Sequence, residues 1–463
     1  MAEHSVTMEN TLLKLLAEKK YSTLRDILIT MNPSDIAAIF DELAEERLPL
    51  LFRLLPKELA ADTFVEMEPD AQELLIRGFS DSELKDVIDE LFVDDAVDIV
   101  EEMPANVVRR ILSQADPEMR KSINEILRYP ENSAGSIMTT EYVSLRPKMT
   151  VADAITNIRR TGVDKETIYT CYVTKDRTLI GVVTVKDLLL AEDDDIPIEE
   201  IMIPNVISVN TSDDQEIVAQ MFSKYNFLAL PVVDKENRMV GIVTFDDAMD
   251  VMEDEATEDI EKMAAIIPSE KPYMSMSPWE IWKKRIPWLM LLMVSATFTG
   301  MIISSFETAL EKILVLTAFI PMLMDTAGNS GSQASVTIIR GLSLNEIELT
   351  DVFKIIWKEV RVALLCGLSL AAACFLKIFL VDYLLLHSFA GLTLANPFII
   401  IGVVSATMAI TILFAKIVGC TLPLLAKKLK LDPAVMASPF ITTIVDALSL
   451  LVYFGIAKIF LPI

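Results

Sequence analysis

Residues 286–306 read IPWLMLLMVSATFTGMIISSF and follow directly on Lys283, Lys284 and Arg285. Twenty-one uncharged residues suffice to cross about 30 Å of hydrocarbon as one helix. Further along the chain, apolar segments recur at about 313–339, 358–381, 398–422 and 434–460. The sequence therefore predicts five spans, with the two ends of the chain on opposite sides of a membrane. Basic residues choose the sides. The clusters Lys283–Arg285, Arg340 with Lys354, Lys358 and Arg361, and Lys427, Lys428 and Lys430 share one side, while the opposite loops near 307–312 and 382–396 hold a single lysine. The expectation is a multi-pass plasma-membrane protein with a cytoplasmic N-terminus and an extracellular C-terminus. Lys377 and Lys416 fall near predicted span ends, where a long side chain can snorkel to the interface.

Upstream of the first span the chain is a different kind of molecule. From Ile286 onward there are ten acidic and eleven basic residues, so of the formal charge of −26 the part before it carries −27. Such a surface repels nucleic acid, so none is expected as a partner, and suits divalent cations, which prefer carboxylate oxygen. Two histidines and four cysteines without a CxxC pair argue against a zinc site or a His-based catalytic site, and the chain reads as no enzyme. The opening MAEHSVTMENTLLKLLAEKK lacks the basic start and long apolar core of a signal peptide.

Within the acidic half, helix-start signals recur every 10–15 residues from 32 to 128: Pro33, Pro56, Pro69, Ser80-Asp81, Asp94, Pro104, Pro117. They predict an all-α superhelical domain over 1–130. A repeat follows. IMTTEYVSL at 137–145 matches IMIPNVISV at 201–209, and LIGVVTVKDLL at 179–189 matches MVGIVTFDDAM at 239–249. Each copy reads as a strand, a helix, two β-branched strands and a helix opened by Thr and Asp. The repeat resembles a tandem pair of α/β cystathionine-β-synthase (CBS) modules, 136–198 and 199–253, which implies ligand sensing. An acidic connecting helix, 254–280, is expected to lead straight into the α-helical membrane domain, 281–463.

Two stretches break the apolar pattern of that domain. In PMLMDTAGNSGSQAS, 321–335, Pro321, Gly328 and Gly331 disfavour an unbroken helix, and seven polar residues accompany them. Backbone of that kind survives at bilayer depth when packed in protein or beside a wet cavity. In PFITTIVDALSLLVY, 439–453, Thr442, Thr443, Asp446 and Ser449 share a helix face. A charge at mid-span costs at least about 2.5–3.5 kcal/mol. No basic residue lies centrally in a predicted span, so a passing cation is the natural partner of Asp446. Oxygen donors without His or Cys select hard cations, and Mg²⁺ keeps most of its waters while binding one or two carboxylates. One Asp446 per chain is sparse. A two-fold axis along the pore supplies two, which predicts a homodimer.

With AGNSGSQAS at 327–335, EATEDI at 255–260 and LDPAVMASPFITTIVD at 431–446, the chain resembles the MgtE family of magnesium channels throughout its length. The resemblance implies that Asp446 engages the hydrated ion in the pore, with Asn329 nearby. Thr442 and Ser438, which stands where some members carry Asn, complete the expected pore set. It further implies regulatory Mg²⁺ at Asp94 and Asp98, at Asp214, Glu216, Asp247 and Asp250, at Glu255, Glu258 and Asp259, and at Asp432. ATP in the CBS pair, against Lys186, Asp187 and Phe227, is implied in the same way. Feedback gating follows: ions bridging carboxylates hold a closed state, and their loss opens the pore. Two other readings stay open: a gradient-coupled divalent-cation transporter with Asp446 as coupling site, and a CBS-based membrane sensor that transports nothing. A dry, unbroken second span marks the latter.

Overall fold

The computed structural model describes residues 11–41, 43, 46–269, 271, 273–389, 396–436 and 438–462. They form two compact units, 1–252 and 253–463.

In the first unit a succession of helices of 5–10 residues runs from Tyr21–Leu28 to Pro117–Ile126. Their starts carry the chemistry expected of them. Pro69 and Pro117 sit in first turns, where a missing N–H costs nothing. Ser80 and Glu83 form a reciprocal capping box, and Asp116 accepts from the Met119 amide at 2.7 Å. Each helix is too short to be stable in isolation and is held by its buried face. Leu24, Ile36, Phe40, Phe64, Leu84, Val97 and Ile111 are essentially inaccessible and belong to one core. That core continues into the second repeat through Val218, Phe222 and Leu230.

The two repeats fold alike. Strands β1 (Tyr142–Leu145), β2 (Thr167–Lys175) and β3 (Thr178–Thr184) make one sheet, and β4 (Val209–Asn210), β5 (Ala229–Val233) and β6 (Met239–Thr244) the other. In each, the first pair is parallel across an intervening helix and the second antiparallel. The Thr-Asp signature closes each copy. Asp187 accepts from the Thr184 amide (3.0 Å) and hydroxyl (2.6 Å), and Asp247 does the same for Thr244 (3.3 and 2.5 Å).

The acidic connecting helix is Phe245–Met263. It therefore begins inside the second repeat. It also does not lead straight into the first span: the chain turns at Ala265, whose φ is 56°, and a new helix, Pro278–Ser305, starts from a Ser277–Glu280 capping box.

Among the described residues, four stretches of the second unit are long and apolar enough to cross a membrane: Pro278–Ser305, Leu349–Leu385, Pro397–Lys428 and Pro433–Phe460. The remaining expected span is the helix Ile320–Ser343, here called the polar helix. Its 24 residues reach about 36 Å. The expectation that Pro321, Gly328 and Gly331 break it is corrected. Pro321 occupies the first turn, and the glycines serve close packing instead. A Cβ on Gly419 would collide with the Gly331 carbonyl oxygen, and one on Gly331 would stand 2.9 Å from Ile441 Cγ2. The polar helix thus presses against both Pro397–Lys428 and the last helix, Ser438–Phe460.

Lys416 is a second correction. Its helix runs on to Lys428, three turns past the residue, so snorkelling is out of reach. The side chain is 6% exposed and faces Glu359 at 3.9 Å, so a basic residue does lie inside a span, paired with a different carboxylate from Asp446. Lys377 bonds Asp382 at 2.8 Å.

Candidate functional site: a membrane cavity and a carboxylate seat in the first unit

An open cavity of about 400 Å³ in the second unit is lined by Pro321, Met324, Asp325, Asn329, Thr442 and Asp446, with Ile320 and Gly328. Local packing explains why these residues meet. Gly328 carries no side chain, and even a Cβ there would lie 3.1 Å from Thr442 Cγ2. The Thr442 hydroxyl donates to the Pro439 carbonyl (3.0 Å), leaving lone pairs for a further donor. Asp446 is half-buried one turn further along. Asn329 is exposed and belongs to a stripe at i+4 spacing, Asp325, Asn329, Gln333 and Thr337, exposed along the polar helix. Facing lipid, such a stripe carries the cost of unsatisfied polar groups. It demands water or another protein surface. The helix is unbroken, yet it lines an open cavity.

Of the expected pore residues, the fold brings Asp446, Asn329 and Thr442 to this cavity. The side chain of Ser438 lies outside the described residues. Ser449, expected on the same face, is 1% exposed and packed inside the protein.

The first unit holds a second cavity, about 410 Å³, whose wall includes Asp62, Glu90, Asp94, Asp95, Glu166 and Asp247. Asp94 comes from the helix Val93–Glu102 and is 7% exposed, with Oδ1 lacking any hydrogen-bond partner. Glu166 Oε2 is likewise buried and unpartnered. Burial and then like charge raise these acids. Asp94 lies well above the usual carboxylate range through burial and the charges of Asp247 and Glu166. Asp95 is pushed up to about 7, Glu166 to about 8 and Asp247 to about 6, burial leading in each case. Asp98 keeps an accessible side chain, but the protein around its carboxyl and the charges of Asp247 and Asp95 still push it up. Oxygen ligands, an orphaned buried carboxylate and mutual repulsion fit a bound divalent cation. Among the described residues no three acidic, His or Cys side chains gather tightly enough to hold a bare metal ion. A cation that keeps its waters meets both facts.

The other expected regulatory residues are spread out. Asp214 caps the helix Gln215–Tyr225, accepting from the Glu216 amide at 2.9 Å, and Glu216 accepts from Gln220 at 3.1 Å. Asp250 is exposed on the connecting helix and Glu255 half-buried. Glu258 and Asp432 each hold Lys262 Nζ at 2.6 Å, and Asp259 accepts from the Ser343 hydroxyl at 3.1 Å. The end of the connecting helix is thus tied to the membrane helices near Ser343 and Asp432, in part by an ammonium shared between two carboxylates. Of the nucleotide set, Lys186 is exposed, Asp187 is committed to its cap, and Phe227 lies in the other repeat, stacked on Tyr225 at 5.4 Å.

Sequence reasoning passed over Asp95, Glu166, Lys262 and the Glu359–Lys416 pair. Asp95 adjoins Asp94 in the same first turn and was within reach. Glu166 stands just before β2 and no local pattern marks it.

A carboxylate-lined cavity among membrane helices, joined to an acidic unit with tandem sensor modules, defines a regulated cation-transport protein of the membrane. The profile described as MgtE, divalent cation transporter, matches residues 320–456. The MgtE intracellular N domain matches 31–132, and the CBS domain matches 134–194 and 198–254. The chain is 36% identical to the magnesium transporter MgtE of Thermus thermophilus over 97% of its own length and 98% of the relative's. It is 32% identical to that of Bacillus subtilis over 96% of each. The chain belongs to the MgtE family. Among solved structures, the cytosolic domain of the Mg²⁺ channel MgtE in complex with ATP aligns with a TM-score of 0.50 at 38% identity, over 52% of this chain and 99% of that one. The soluble part of a magnesium transporter aligns at 0.51 and 33%, over 54% and 99%.

Proposed function

We propose that this chain is a Mg²⁺ channel for uptake, working as a homodimer in the plasma membrane and closed by Mg²⁺ on its cytoplasmic side. The observation that carries the reading is the cavity at Asp446. Two carboxylates, Asp446 and Asp325, an amide and a hydroxyl line one open space among the membrane helices. The relatives named above as magnesium transporters support the choice of ion. In this reading Asp446 supplies the attraction, and Asn329 and Thr442 hydrogen-bond the ion's waters. Ser438 serves the inner end. The exposed polar stripe of the polar helix faces its copy across the two-fold axis, where lipid is excluded. The N-terminus is cytoplasmic and the C-terminus outside.

On the cytoplasmic side, Mg²⁺ neutralises the seat at Asp94, Asp98 and Asp247, and further ions engage Asp214, Glu216 and Asp250. Others engage Glu255, Glu258, Asp259 and Asp432. Each stabilises the arrangement in which it binds more tightly and so shifts the population towards it. ATP binds the CBS pair at Lys186 and Phe227, with Asp187 positioned by its cap. The solved relative carrying ATP supports this. The domain limits given above, 1–130, 136–198, 199–253, 254–280 and 281–463, are proposed on the same footing.

Liposomes reconstituted with the full chain and loaded with a Mg²⁺ dye test the reading. Influx is expected with neither a pH nor a Na⁺ gradient, and Asp446→Asn should lose most of it while remaining monodisperse. Influx only with an imposed gradient would instead make Asp446 a coupling site.

A further inference from the structure

The polar helix and the last helix pack antiparallel in a readable register. The Ser335 hydroxyl donates to the Met436 carbonyl at 3.4 Å, Gly331 meets Ile441, Gly328 meets Thr442, and the Tyr453 hydroxyl reaches the Leu316 carbonyl at 3.0 Å. Carried one turn on from Gly328 and Thr442, this register sets Asp325 opposite Asp446, and both line the one cavity. Asp325 is exposed and stands one turn from Asn329 on the polar stripe. Lys377 and Lys416 are engaged elsewhere, with Asp382 and Glu359.

From this geometry we infer that Asp325 is a second pore carboxylate, which shares the hydrated divalent cation with Asp446 and collects it from the outer side. The inference rests on the channel reading above and deepens it. The cavity of about 400 Å³ has room for about a dozen waters at about 30 Å³ each. An octahedral ion with its six waters therefore fits without losing them. Two carboxylates on opposite walls reach that ion through its water shell, and the amide of Asn329 and the hydroxyl of Thr442 complete a ring of oxygen. In the orientation proposed, the polar helix descends from the outside, so Asp325 lies nearer the outer mouth than Asn329. A dimer doubles the set to four carboxylates, enough to neutralise two divalent ions. An acid at the mouth of a low-dielectric cleft raises the local concentration of the cation it serves.

The test is the external Mg²⁺ dependence of influx for wild type, Asp325→Asn, Asp325→Glu and Asp446→Asn in liposomes, each first shown to be monodisperse. Expected for Asp325→Asn is a half-saturating external Mg²⁺ raised roughly tenfold, a larger change than any in maximal influx, with closure by internal Mg²⁺ kept. Asp325→Glu should stay near wild type. Wild-type half-saturation in Asp325→Asn, with Asp446→Asn inactive, overturns the inference and leaves the channel reading standing. Equal loss of maximal influx in Asp325→Asn and Asp325→Glu also overturns it, since it assigns the residue to structure. No influx in wild type removes the channel reading and this inference with it.

Discussion

Between pH 5.5 and 8 the helix Val93–Glu102 should loosen when Mg²⁺ is withheld, and Mg²⁺ should tighten it again. The cause is the group of raised carboxylates around Asp94. A carboxyl whose folded pKa is raised gives its full stability below the unfolded value, about 4, and loses it as pH climbs through the folded one. Here the folded values are about 6 for Asp247, about 7 for Asp95 and about 8 for Glu166. For Glu166 alone, raised from 4.5 to about 8, about two units of that loss fall between pH 5.5 and 8, which corresponds to about 3 kcal/mol. Taking half of that, because side chains and water relax around a forming charge, leaves a factor of about ten in local opening. The assay is hydrogen exchange on the full chain in detergent, with protection corrected for the intrinsic rate at each pH. Protection of residues 93–102 should fall about tenfold from pH 5.5 to pH 8 without Mg²⁺ and recover on adding it. Asp247→Asn should flatten the profile and protect the helix without metal. Equal protection at both pH values in wild type, or no recovery with Mg²⁺, refutes the reasoning.

Lys262→Met removes the ammonium that Glu258 and Asp432 share. The loss of a half-buried pair worth about 1 kcal/mol should speed exchange at Pro433–Met436 about fivefold without Mg²⁺, and Lys262→Arg should not. Glu359→Gln and Lys416→Met should each lower thermal stability in detergent by about 3–5 kcal/mol, because each strands a buried charge, and the double variant should recover much of it. Gly331→Ala and Gly419→Ala should destabilise the membrane unit by about 1–3 kcal/mol through overpacking. Gly402→Ala, where nothing lies within 4 Å of a new Cβ, should be neutral by the same melting assay.

The sequence showed clearly whatever depends on local pattern. Apolar length marked the membrane helices, Thr-Asp pairs marked the repeat, and Pro and Ser marked the helix starts of the first unit. What it hid depends on partners distant in the chain. Gly328 and Gly331 read as helix breakers because the three neighbours that need their bare faces, Gly419, Ile441 and Thr442, are some 90–115 positions away. Lys416 looks like a snorkelling end from sequence because its apolar run stops near 422, whereas the helix continues to Lys428 and Glu359 lies on another helix. Glu166 gave no signal. It joins Asp94 and Asp247 only because the fold buries all three together. At the membrane cavity, Asp446, Asn329 and Thr442 were legible from polarity within apolar runs. Asp325 stood in the same run, and its place opposite Asp446 emerged only from the helix register.

The most direct test of the account is Mg²⁺ influx into liposomes holding the full chain, at a fixed external concentration, with internal Mg²⁺ clamped at values from zero through the millimolar range. A channel closed by internal Mg²⁺ gives brisk influx at the lowest internal values and arrest as internal Mg²⁺ rises, with Asp247, Asp250 and Glu258 neutralised together leaving the pore open throughout. Influx that ignores internal Mg²⁺ in the wild-type chain would contradict it.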